Sequence, residues 1–189
     1  MNLYFRLILL LLSLPFIKKV SVHNQHDQHD QKDDQNSLSH KSELPFRVLP
    51  NDLDAFNHMN NSRYLSIMDF GRFHLMAQFG SLKKAYQKGW APAVGGIKIN
   101  YIRALKLFNH YKLTTQIIYW DEKWVYLEQQ FITLKDNQLM ATALVKALFT
   151  SKKGKVSSDE LLTTFFPEGL SKPPLPEKIR KWRESEGKS

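Results

Sequence analysis

The stretch Asp52-Leu53-Asp54-Ala55-Phe56-Asn57-His58-Met59-Asn60-Asn61-Ser62-Arg63-Tyr64 joins an acidic pair and a histidine to a run of helix-capping residue types. Asn60, Asn61 and Ser62 stand just ahead of a long apolar pattern, where a helix should start. A helix N-terminus presents unpaired backbone N–H groups and partial positive charge. Such donors can hold an acyl carbonyl oxygen as it becomes an oxyanion. Removing one of them typically costs about 2.7–4 kcal/mol of barrier. A carboxylate at the same junction can attack the carbonyl or activate water. The carboxylate and the amide donors must lie within a few ångströms of each other, and a loop entering a helix supplies both.

The elements that position this loop follow from periodicity. In NSRYLSIMDFGRFHLMAQFG, Tyr64, Met68, Gly71 and Leu75 fall at helical spacing, and Leu65, Ile67, Phe70, Phe73 and Met76 extend the apolar surface around most of the helix. A helix hydrophobic nearly all round is a buried one, so residues near 62–79 are expected as a central helix ending at Gly80. A short second helix is expected over SLKKAYQKG. Before the central helix, PFRVLPNDLD reads as a short strand and a loop. After it, alternating runs begin near Ile97, Tyr111, Trp124 and Ala141, and Asp136-Asn137 marks a turn between the last two. Ala141, Ala143, Val145, Ala147 and Phe149 share one strand face, with small residues that let a helix approach. One buried helix with an antiparallel sheet is an α+β layout. Gly95-Gly96 is read as a β-bulge.

The chain of 189 residues carries a net charge of +9 and no cysteine. Thiolate nucleophiles, disulfides and Cys-ligated zinc are therefore excluded. Residues 1–43 are charge-balanced, so the basic excess lies in the domain and the C-terminal region and favours anionic partners. No RNA-binding aromatic signature or zinc-finger spacing accompanies it, so nucleic acid is not the expected partner. Leu7–Ile17 is an apolar run too short for a confident span. It is followed at once by Lys18 and Lys19. Residues 1–20 are read as an uncleaved membrane anchor with the domain on the cytoplasmic side; the alternative is a cleaved export signal. Residues 21–43 read as a polar disordered linker. Its His23, His26 and His29 beside Asp27 and Asp30 are taken as a solvated spacer, with no metal assigned. Residues 44–150 form the domain. Residues 151–189 form a basic extension with a short helix near Glu160–Phe166, and Lys172–Arg183 is taken as solvated surface.

The pattern D-x-D-x-x-x-H-M-N-N-x-x-Y-L resembles the hot-dog thioesterases of the 4-hydroxybenzoyl-CoA thioesterase type and the plant acyl-ACP thioesterases. RVLPNDLDAFNHMNNSRYL is most similar to THEM-type thioesterase-like proteins, which also carry an apolar N-terminal segment. GGIKINYIRALKL is similar to the family's second strand. The resemblance covers about residues 44–150. It implies a hot-dog fold, an antiparallel sheet wrapped round one long helix, with protomers pairing so that active sites lie at their interface: a homodimer or a tetramer of dimers. It implies an acyl-CoA or acyl-ACP substrate and no cofactor. By resemblance Asp54 is the nucleophile or general base, and His58 matches a catalytic position of the plant enzymes. Asn60 and Asn61 match residues that position the loop and oxyanion site. Tyr64 matches the pattern's tyrosine, a packing residue more than a chemical one. Asn57 replaces the glycine many relatives have, and asparagine accepts positive φ more readily than most residues. Phe56 stands where the plant enzymes have asparagine, which weakens a plant-like Asp-Asn-His network. Asp52 is expected as an exposed loop residue. A non-catalytic acyl-binding protein on the same fold is the second functional reading; fold alone does not separate the two.

Overall fold

The computed structural model describes residues 41–166 and 169–187. The anchor and nearly all of the linker, with its histidines, fall outside them. The first strand, β1 (Ser42–Arg47), leads through a 3₁₀ turn at Pro50–Asp52 to the central helix α1 (Asn61–Gln78) and a short helix α2 (Ser81–Lys88). Four strands follow: β2 (Ala91–Tyr101), β3 (His110–Trp120), β4 (Val125–Thr133) and β5 (Leu139–Ser151). A three-residue β6 (Gly154–Val156) and helices α3 (Ser158–Phe165) and α4 (Glu177–Glu186) complete the chain. The sheet order is β1-β3-β4-β5-β2, all antiparallel, with β6 added to β5. This is the hot-dog arrangement: a curled sheet holding one long helix.

Local chemistry explains where α1 begins and ends. Asn60 is its N-cap, and its Oδ1 accepts the Ser62 amide at 2.9 Å, which satisfies a donor that would otherwise be orphaned. Gly80 follows the last turn at φ 63°, a left-handed position that favours glycine. Within α1, Tyr64, Ile67, Met68, Phe70, Gly71, His74 and Leu75 are buried. Contact with the sheet is close at Gly71, where Thr115, Leu113 and Gln129 side chains crowd the helix backbone. The fully buried Gln129 pins the two layers. Its Nε2 donates to the Met68 carbonyl at 3.0 Å and to Thr115 Oγ1 at 2.9 Å, and its Oε1 accepts from Arg72 at 2.8 Å. Ala141, Ala143 and Val145 line the same core, as their small size suggested.

Three features depart from the sequence reading. The helix is not buried all round, because Leu65 and Phe73 stay 39% and 40% exposed. One sheet covers only part of a helix, and α1 packs mainly on β1 and β3. The Lys172–Arg183 stretch is solvated at its basic residues but not throughout. It contains most of α4, whose Ile179 and Trp182 bury against Tyr119 and Tyr126 in a second apolar cluster. Their i, i+3 spacing puts both on one helix face. Helix α3, expected in the extension outside the domain, adds Leu161, Leu162 and Phe165 to the main core. The glycine pair does mark a bulge, between Val94 and Gly96.

Candidate active site

The loop carrying Asp54 is a small closed structure. A bridge pairs Leu53 with Met59. The Asp54 amide donates to the His58 carbonyl at 2.8 Å, and the Asn57 amide to the Asp54 carbonyl at 3.2 Å. Asn57 takes φ 63° at the tight turn, the conformation asparagine tolerates in place of glycine. Asp54 is half-buried. Its Oδ1 accepts the amides of Phe56 at 2.9 Å and His58 at 3.2 Å. Asp54 and His58 therefore meet through the His58 backbone rather than its ring. The carboxylate is held by loop amides, not by the first turn of α1. Oδ1 is the oxygen tethered by both amides.

Asp52 is the correction at this site. It is 2% exposed, because the 3₁₀ turn folds its side chain back so that Oδ2 accepts the Leu49 amide at 2.8 Å. Its backbone carbonyl accepts the Asn60 amide at 2.8 Å, and Arg63 Nε lies 3.9 Å from its carboxylate. Asp52 thus clamps the loop's start to the helix entrance. The other wall is the segment joining β2 to β3: the Met59 amide donates to the Leu105 carbonyl at 2.8 Å, and His58 bridges to Lys106.

Asn60 acts as the cap described above, and Asn61 is the exposed first residue of α1, its carbonyl accepting from the Tyr101 hydroxyl at 3.3 Å. Tyr64 is a core residue. Its ring meets Tyr101 and Phe131 edge-on at 5.1 and 4.8 Å, and burial raises its pKa. Asp54, His58, Asn60 and Asn61 therefore gather at one helix entrance, and Tyr64 supports them from beneath.

An apolar cavity of about 160 Å³ opens between α1, α3 and the sheet. That is close to the roughly 150 Å³ of an apolar cavity that admits benzene. Phe73, Met76 and Phe79 of the α1 region face Phe165 and Phe166 across it, and Pro92–Val94 of β2 lie along one side. Phe79 and Phe166 meet edge-on at 4.6 Å. Asp69 and Arg72, an ion pair on α1, are the charged groups in its lining. Neither Asp54 nor His58 lines it. Asp69 follows Asn61 by eight residues, so the cavity begins about 12 Å along the helix from its entrance. The sequence reading missed these walls, although the apolar run Leu161–Phe166 carried the signal. Among the described residues no group of three His, Asp or Glu side chains is placed to hold a metal ion, and no helix is long and apolar enough to cross a membrane.

Comparison with known proteins places this site in context. The model of the thioesterase-like superfamily matches residues 48–183. Protein THEM6 of Drosophila melanogaster is 39% identical over 132 residues, 69% of this chain; the chain spans 66% of that relative's length. Among solved structures, the probable thioesterase YbaW from Escherichia coli superposes with TM-score 0.58 at 22% identity, covering 69% of this chain and 99% of its own. The hypothetical protein SAV2348 from Staphylococcus aureus, solved in complex with CoA, gives TM-score 0.59 at 20% identity, covering 74% and 92%. At these identities the two structures speak for the fold alone.

Proposed function

The chain belongs to the thioesterase-like superfamily, and on that premise we propose that it hydrolyses an acyl thioester, with acyl-CoA or acyl-ACP as substrate. The observation that carries the reading is the Asp54 carboxylate, fixed through Oδ1 by two loop amides at the entrance to α1. Oδ2 then takes a proton from the water that attacks the thioester carbonyl, or attacks the carbonyl itself to form a mixed anhydride that water hydrolyses. The thiol leaves, and a carboxylic acid is released. Amides at the start of α1 stabilise the developing oxyanion, Asn60 and Asn61 position that turn, and His58 orients the loop.

Pairing of two copies along β2 supports this chemistry. The outer edge of β2 has no strand beside it among the described residues. Val94 and Tyr101 of β2 and Ile102 just after it are exposed, and an apolar unpaired edge invites a partner. In a homodimer built on this edge, the loop of one protomer serves the cavity of the other, which resolves their separation along α1. The apolar run ahead of Lys18 and Lys19 supports tethering to a membrane with the domain on the cytoplasmic side.

Asp54→Asn is the test. The amide's Oδ1 still accepts from Phe56 and His58, so the loop keeps its shape while the basic oxygen is lost. Turnover of an acyl thioester panel should fall at least about 10²-fold with substrate binding little changed. His58→Ala should cost less, because the bond it makes to Asp54 is a backbone one. Undiminished turnover with Asn at position 54 would remove Asp54 from the mechanism. The distance of cavity from carboxylate favours one alternative, an acyl-binding protein without turnover, which would bind acyl-CoA and hydrolyse none.

A further inference from the structure

We propose that the groove over Phe108 binds the 3′-phosphorylated adenosine diphosphate end of CoA. The inference rests on the thioesterase reading for its substrate and adds where the nucleotide sits. The groove, about 560 Å³, lies at the end of the sheet, between Phe108–His110 and the β4–β5 turn with Leu134 and Lys135.

Phe108 is the first observation. It takes φ 62°, a conformation uncommon outside glycine and asparagine, yet the residue is 50% exposed. Core packing therefore does not explain it. The turn is held rigidly from below: the Phe108 amide donates to the Val48 carbonyl at 3.0 Å, the Val48 amide to the Asn109 carbonyl at 3.0 Å, and the Lys106 amide to Asn109 Oδ1 at 2.8 Å. A strained, firmly braced aromatic at the surface is the pattern expected of a binding platform.

Charge is the second, independent observation. The Arg47 guanidinium stacks on the Phe108 ring, 4.5 Å from its centroid. Lys106 stands two residues away, Arg103 holds the Leu139 carbonyl at 3.3 Å beside the same turns, and Lys135 lines the groove. The acid in the lining, Asp136, accepts a hydrogen bond from Thr133. A flat ring flanked by a guanidinium and ammonium groups fits a purine carrying phosphates. The bridge from Lys106 to His58 makes this turn the back wall of the Asp54 loop. A pantetheine arm leaving the groove would have to run along this turn to bring the thioester at its far end to the Asp54 loop.

Kinetics of the full-length chain on acyl-CoA and on the matching acyl-pantetheine, which lacks the nucleotide, provide the test, together with calorimetric titration of adenosine 3′,5′-bisphosphate. The bisphosphate should bind the wild type, and Phe108→Ala should abolish that binding. Phe108→Ala should raise KM for acyl-CoA at least about fivefold, the low end for a base stacked on an aromatic ring, with kcat unchanged and acyl-pantetheine kinetics unmoved. Lys106→Ala with Lys135→Ala should weaken bisphosphate binding and flatten its salt dependence. Equal KM for the two substrates in the wild type, or turnover of acyl-ACP alone, would overturn the assignment. If neither substrate is cleaved, the thioesterase reading fails by itself, and the bisphosphate titration still decides the groove: binding lost in Phe108→Ala upholds it, and absence of binding in the wild type refutes it.

Discussion

Replacing Gly71 by alanine sets two effects against each other. In an isolated helix the change is favourable by about 1 kcal/mol, since alanine is the best helix former and glycine among the worst. Here a Cβ at position 71 would lie 2.5 Å from Thr115 Oγ1, 2.6 Å from Leu113 Cδ2 and 2.8 Å from Gln129 Nε2. All three neighbours are buried in the sheet and cannot swing into solvent. Overpacking of this kind costs about 1–3 kcal/mol. Moving Gln129 also breaks its bonds to the Met68 carbonyl and Thr115, and a buried polar group left unsatisfied costs about 1–3 kcal/mol. The losses exceed the propensity gain, for a net destabilisation of about 1–5 kcal/mol. Urea unfolding of Gly71→Ala should show a lower midpoint at unchanged slope. Activity should fall too, because α1 carries the Asp54 loop at its start. A midpoint equal to or above that of the wild type would mean that propensity wins, and that helix and sheet do not approach as closely as described.

Two further outcomes are expected. Phe166→Ala removes the edge contact with Phe79 at one wall of the apolar cavity, so the chain-length optimum of kcat/KM should move to longer acyl groups; an unchanged optimum would show that the acyl chain does not reach this wall. His74, buried with its Nδ1 2.6 Å from Ser42 Oγ, has its pKa lowered from 6.5 by desolvation. The unfolded chain therefore binds more protons just below that value, and stability, complete above about pH 6.5, falls as pH drops from there toward the depressed folded value. Thermal midpoints measured between pH 7.5 and 5.5 should decline more steeply for the wild type than for His74→Gln, and parallel curves would exclude His74 as the source.

Much of this was legible in the residues because local and global signals agree. Asn60 and Gly80 punctuate α1, and the alternation in β3 and β5 survives into the sheet. Asn57 was recognisable as a residue able to stand at positive φ. Asp52 was misread because its burial depends on the 3₁₀ turn returning its carboxylate to Leu49 and on Arg63 reaching back from α1, contacts that spacing does not encode. Helix α4 was hidden by its composition: KIRKWRE is mostly charged, and its stability comes from Ile179 and Trp182 finding a second cluster on Tyr119 and Tyr126. The separation of Asp54 from the cavity was invisible because it is set by where α3 packs along α1.

The bulge in β2 has a consequence for light emission. Trp124 lies directly over Gly95, its indole filling the space a Cβ would take. Of the four tryptophans, Trp90, Trp120 and Trp182 are buried, while Trp124 is only partly so. The three buried indoles should emit at wavelengths fixed by the core. Trp124, at the margin of the strand edge proposed to meet a second copy, is the one whose emission responds to its surroundings. A spectral shift that grows with protein concentration, and is lost in Trp124→Phe, would make this indole a built-in optical gauge of strand pairing.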